Sequence, residues 1–167
     1  MKKKPGLSHV DKSGRVRMVD IGAKRETERE AVATGRITVS AAALRAIRAG
    51  QVKKGDPLQA ARLAGILAAK RTADLIPLCH PLPLSHVHVD FTPGKRGYTI
   101  EARVRTTART GVEMEALTAV SVAALTLYDM LKALDKTMVI GDICVTEKRG
   151  GKSGTYLRSQ RQKAEGY

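Results

Sequence analysis

Residues 110–136, TGVEMEALTAVSVAALTLYDMLKALDK, constrain this chain more than any other stretch. Thr110-Gly111-Val112-Glu113 has the S/T-x-x-E form of a capping box, so a helix is expected to start there with Glu113 as its capping carboxylate. Val112, Ala116, Ala119, Val120, Ala123, Leu127, Met130, Leu131 and Leu134 recur at three- and four-residue steps and define a core face. The opposite stripe gathers Glu115, Thr118, Thr126, Asp129, Lys132 and Lys136, with Val122 and Leu125 among them. It reads as a partly buried polar wall that holds a carboxylate and an amine, Asp129 and Lys132, three residues apart.

A helix of this kind needs a sheet or other helices to cover it, and the rest of the chain supplies both. Residues 27–39 read as a strand with a bulge or bend at Gly35. Ser40 caps AAALRAIRA and Gly50 closes it. Asp56-Pro57-Leu58-Gln59 opens a second helix running to about Lys70, with small residues, Gly65 included, that permit close approach. Prolines 77, 81 and 83 then impose an extended, rigid loop around Cys79 and His80. Residues 85–92 alternate Val87, Val89 and Phe91 with His86, His88 and Asp90, and residues 98–106 alternate Ile100, Ala102 and Val104 with charged residues. The two form a hairpin across a longer loop, PGKRG. Residues 137–147 read as a last strand. The order β-α(α)-β-β-α-β predicts an α+β fold of the ferredoxin-like split βαβ type: a four-stranded antiparallel sheet with helices on one face.

At 167 residues this is one domain, organised as a basic N-terminal tail (1–25), a catalytic domain (26–149) and a Gly/basic C-terminal loop and tail (150–167). The formal charge of +14 points to an anionic partner, yet it is concentrated at the ends. Residues 1–25 carry eight basic and two acidic side chains, and residues 148–167 carry six and one. Solubilising tails explain that distribution as well as anion binding does. Two cysteines make no disulfide framework and the N-terminus turns polar at once, so the expected compartment is the cytoplasm. No apolar run approaches the roughly 18 residues that a membrane span needs.

Several constellations compete with plainer readings. GGKS at 150–153 has the ending of a P-loop, but Thr146 stands where its first glycine belongs, which leaves a phosphate-binding loop or a solvated tail. His80, His86, His88 and Cys79 lack the spacing of a metal site, and no metal is assigned. His80 stands apart because the proline-framed loop aims it. Asp129 and Lys132 alone would be an i,i+3 surface pair; the loop cations Lys54, Lys148 and Lys152 strengthen a chemical reading, since clustered amines lower one another's pKa.

LIPLCHPL (75–82), the 110–130 helix, KRGGKSG (148–154), MVDIGAK (18–24) and ARLAGILAAKRT (61–72) together resemble the cyclic pyranopterin monophosphate synthase family of molybdenum-cofactor biosynthesis. The resemblance covers nearly the whole chain. It implies a ferredoxin-like subunit in a hexamer, a trimer of dimers with active sites between subunits. It also implies the conversion of 3′,8-cyclo-7,8-dihydro-GTP to cyclic pyranopterin monophosphate with loss of diphosphate. Residue by residue, it implies catalytic roles for Asp129 and Lys132 and substrate binding by Leu78, Cys79, His80, Met114 and Glu115. Arg29, Lys54, Glu113 and Lys148 support the site. No cofactor is required beyond a possible Mg2+ accompanying the triphosphate of the substrate.

An RNA-recognition module is the alternative for a basic ferredoxin-like domain, and Arg96-Gly97-Tyr98 resembles part of its signature. One phenylalanine and four tyrosines leave few faces for stacking bases, so nucleic acid is not the expected partner.

Overall fold

The computed structural model describes residues 13–152 and 154–159. Residues 1–12, Ser153 and residues 160–167, which include about half of the two basic tails, lie outside the described residues.

Among the described residues, five strands form one antiparallel sheet in the order β2-β3-β1-β4-β5. They are β1 (Thr27–Thr38), β2 (Leu84–Gly94), β3 (Gly97–Ala108), β4 (Val139–Arg149) and β5 (Tyr156–Leu157). The fold is α+β, but the sheet is one strand larger than the four expected, because Tyr156 pairs with Lys148 and Leu157 with Glu147. The helices that connect these strands are α1 (Ala41–Arg48), α2 (Pro57–Ala69), α3 (Thr72–Leu75) and α4 (Glu113–Leu131).

The local signals act where the sequence places them, with three exceptions. Ser40 accepts from the Ala43 N–H, and Asp56 accepts from those of Leu58 and Gln59, so both short helices are capped by their own side chains. Gln59 does not complete a capping box; its amide oxygen accepts from Arg62 instead. The hairpin loop is shorter than expected. Gly94 pairs with Gly97 and leaves only Lys95 and Arg96 at the turn, while a Cβ at Gly97 would lie 1.9 Å from the Ile37 carbonyl oxygen. The third exception is α4. Val112 occupies its N-cap with no side-chain cap, and Glu113 lies inside the helix. The Glu113 carboxylate bonds to Lys148 Nζ at 3.0 Å, a charge-assisted contact stronger than the neutral backbone N–H a capping box would offer.

Helix α4 ends at Leu131, so Leu134 lies beyond it and is half-exposed rather than part of the core. Asp135 follows and is buried, taking the Ser40 N–H at 2.6 Å and both the N–H and hydroxyl of Thr137. One carboxylate thereby ties the end of α4 to the start of α1.

α2 and α4 pack on each other, and together they cover β1, β2, β3 and β4. Ile37, Ile100, Val104, Val120, Leu127 and Leu131 are fully buried between these layers, each worth about 1.5–3 kcal/mol of apolar burial. The approach is close. A Cβ at Gly35 would meet Val120 at 2.6 Å, and the β1–β4 register shifts around that glycine, which accounts for the expected bulge. A Cβ at Gly65 would meet the Ala119 carbonyl at 2.9 Å. Although α4 is 19 residues long with a mean hydropathy of 1.3, enough by length and composition to cross a membrane, its apolar face packs into this core.

Candidate active site

The proline-framed loop 76–83 and the first turn of α4 face each other across a cavity of about 460 Å³. Leu78, Cys79, His80, Glu113, Met114 and Glu115 all line it. The N-terminal segment closes one side through Val19, Ile21 and Lys24. His80 Nε2 donates to the Val19 carbonyl at 2.9 Å, since a carbonyl oxygen can only accept. That bond fixes the ring and leaves Nδ1 as its remaining polar atom.

Burial sets the protonation of this cavity. Glu115 is only 4% exposed, and burial raises its pKa, with the charge of Glu113 adding to the effect and a hydrogen bond from its own backbone N–H opposing it. Burial likewise raises the pKa of the Cys79 thiol, and Glu115 contributes. Cys79 is therefore a neutral thiol at neutral pH rather than a thiolate nucleophile.

A second cavity of about 570 Å³ adjoins the first and shares Lys24, Thr110, Gly111 and Glu113 with it. Its walls carry Lys24, Arg25, Arg29, Arg109, Lys148, Arg149 and Lys152 against two carboxylates, Glu30 and Glu113. This is an anion site by charge. The backbone of Gly150 and Gly151, at φ +92° and +74°, forms one edge.

Asp129, Lys132 and Lys54 form a separate cluster. Asp129 Oδ1 lies 2.7 Å from Lys132 Nζ, and Oδ2 lies 2.8 Å from Lys54 Nζ, which also donates to the Asp129 carbonyl at 3.0 Å. The Lys132 hydrogen bond and then that of Lys54 hold the Asp129 carboxyl at a pKa of about 2. The same contact raises the pKa of Lys132, opposite to the lowering expected from clustered amines, because a carboxylate sits between the cations. All three side chains are about half exposed, so this end of the polar stripe is open surface; Glu115 and Thr118 at the other end are buried. Fourteen residues of helix separate Glu115 from Asp129, which puts the clusters about 21 Å apart along the axis of α4 within one chain.

The description of the MoaC family matches residues 18–151. The chain belongs to the MoaC family. A Heliobacterium modesticaldum protein named cyclic pyranopterin monophosphate synthase is 60% identical over 156 residues, covering 92% of this chain and 98% of the relative. Proteins of the same name from Chloroflexus aggregans and Desulforapulum autotrophicum are each 60% identical, covering 92% and 90% of this chain and 94% of each relative.

Against this MoaC-family background, the residues that sequence reasoning missed are Lys24, Arg25, Arg109 and Val19. Val19 and Lys24 lie inside MVDIGAK, and Arg25 and Arg109 carry no local signal. His86 and His88 stack on each other on β2, with ring centroids 6.3 Å apart, and line neither cavity. Among the described residues no three His, Cys, Asp or Glu side chains cluster as metal ligands. Tyr98 and Phe91, the aromatic residues nearest the RNA-like signature, are buried in the core.

Proposed function

We propose that this chain is a cyclic pyranopterin monophosphate synthase, a lyase that converts 3′,8-cyclo-7,8-dihydro-GTP to cyclic pyranopterin monophosphate and diphosphate. The observation that carries this reading is the pair of adjoining cavities, one lined by seven cations and one by apolar side chains around a thiol, an imidazole and a buried carboxyl. A triphosphate suits the first, where Arg29 and Lys148 neutralise the departing diphosphate. A heterocycle suits the second, held by Leu78, Cys79, His80, Met114 and Glu115. Glu113 joins the two and positions Lys148.

Asp129 and Lys132 transfer protons, with Lys54 as their partner. A carboxylate held near a pKa of 2 is a weak base while both ammonium groups stay on it. Phosphates that draw Lys54 or Lys132 away restore its basicity. Since this cluster is about 21 Å from Glu115 in the same chain, each site is completed by a second copy, the Asp129 cluster of one subunit facing the cavities of another. A hexamer built as a trimer of dimers is the assembly proposed. Any Mg2+ enters as part of the substrate, bound to its phosphates, because Glu113 and Glu30 are already paired with Lys148 and with Arg103 and Arg105. The strand order β2-β3-β1-β4 supports a ferredoxin-like split βαβ subunit with β5 added at its edge. The cytoplasm is the proposed compartment, in keeping with two free cysteines.

Incubation of the protein with the cyclised GTP substrate, following diphosphate and pterin, tests the reading. The parent should form both products. Asp129→Ala should turn over about 10²–10⁴-fold more slowly or not at all while keeping its fold. A folded parent that makes no product would defeat the assignment.

A further inference from the structure

We propose that Gly151 is a positioning residue: its missing side chain lets the Arg29 guanidinium lie across the end of β4 and face the cationic cavity. Arg29 and Gly151 both line that cavity. A Cβ on Gly151 would lie 1.6 Å from Arg29 Nη1 and 2.5 Å from Cζ, far inside any tolerable contact. The preceding residue is equally confined, since a Cβ on Gly150 would lie 2.1 Å from the Glu28 carbonyl oxygen. The loop is therefore moulded on β1 and on the arginine that β1 carries.

What this moulding achieves follows from the ion pairs. Lys148 is held by Glu113, Arg149 by Glu147, and Arg109 lies 3.6 Å from Glu26. These cations are already neutralised in part. Among the described residues Arg29 makes no such pair, and its Nε is buried without any hydrogen-bond partner. A buried donor left unpaired is unfavourable and recurs where a ligand supplies the acceptor. Arg29 is thus held by shape where Lys148, Arg149 and Arg109 are held by charge, and an arriving phosphate gains its full charge without breaking an existing pair. This inference rests on the reading that the cationic cavity takes the triphosphate.

The test uses inorganic triphosphate, measured by titration calorimetry, and steady-state kinetics on the cyclised substrate. The variants are Gly151→Asn, Arg29→Ala and the double substitution. Asparagine tolerates the left-handed backbone at φ +74° but restores the Cβ, so it separates crowding from backbone strain. Gly151→Asn should weaken triphosphate binding about tenfold, the scale of one lost charge-assisted hydrogen bond, and raise KM more than it lowers kcat. The double variant should bind, turn over and melt like Arg29→Ala, because the clash is then gone.

Triphosphate binding by Gly151→Asn equal to the parent would overturn the proposal. So would a double variant that carries the full loss of both single substitutions, or one that melts as low as an unstable Gly151→Asn, since either assigns the glycine to the loop backbone. A parent that turns over substrate but does not bind triphosphate would remove the cavity assignment and the proposal with it, leaving the reaction intact. A parent that does neither would remove the proposed function itself.

Discussion

Glu115 shows how one side chain couples the site to stability. Its pKa is raised by burial, so the folded protein holds the proton more tightly than the unfolded chain does. The stability this provides is complete below the unfolded value, about 4.3, and is lost as pH rises through the folded value. Glu115→Gln removes the ionisation. Its stability should gain on the parent as pH rises above about 4.3, by about 1.4 kcal/mol for each unit of the raised pKa. Thermal unfolding across that range decides it; parallel curves would mean the carboxyl ionises in place without penalty. Asp129, on the same helix, runs in the opposite direction, because two ammonium groups contact it in open solvent. The sequence made both carboxylates visible as candidates, but their protonation was not legible. Whether amines depress or support one another depends on what lies between them, and only the folded chain places Asp129 there.

At the scale of elements, α2 and α4 are held by their small residues. Gly65 leaves room for the Ala119 carbonyl, and its nearest side-chain neighbours would be Val89 at 3.2 Å and Ala123 at 3.3 Å from a Cβ. Gly65→Val should push the helices apart and lower stability by about 1–3 kcal/mol, despite removing a helical glycine. Chemical denaturation of the variant checks this, and an unchanged midpoint would show that the interface can relax. The elements that announced themselves did so through local chemistry: Ser40 and Asp56 are caps by hydrogen bonds that span three residues. Thr110 looked like a cap for the same reason. It lost because Lys148, distant in sequence, competes for Glu113. The fifth strand was equally hidden, since Tyr156–Leu157 has no pattern of its own and exists only as a partner for β4.

The whole molecule explains why the site appears in two pieces. Leu78, Cys79, His80, Met114 and Glu115 share one cavity, and Arg29 and Lys148 share the next, whereas Asp129, Lys132 and Lys54 share none with them. If two subunits complete each site, two inactive variants should repair each other. Co-expression of Asp129→Ala with Arg29→Ala should restore roughly a quarter of the parent activity, one intact site in each mixed pair among randomly assembled pairs. Activity no higher than that of the separate variants would place all the residues in one chain. No periodicity could have revealed this division, because spacing along a helix gives the distance between groups but not the identity of the molecule that bridges it. The central place of β1 has a different consequence, for synthesis. This first strand pairs on one side with β3 and on the other with β4, where Glu30 meets Arg149, far along the chain. While the ribosome still holds β4, the nascent chain carries β1 with one unsatisfied edge and α4 without its full cover. Emergence of β4, rather than formation of any early helix, therefore sets the moment at which this sheet can close around β1.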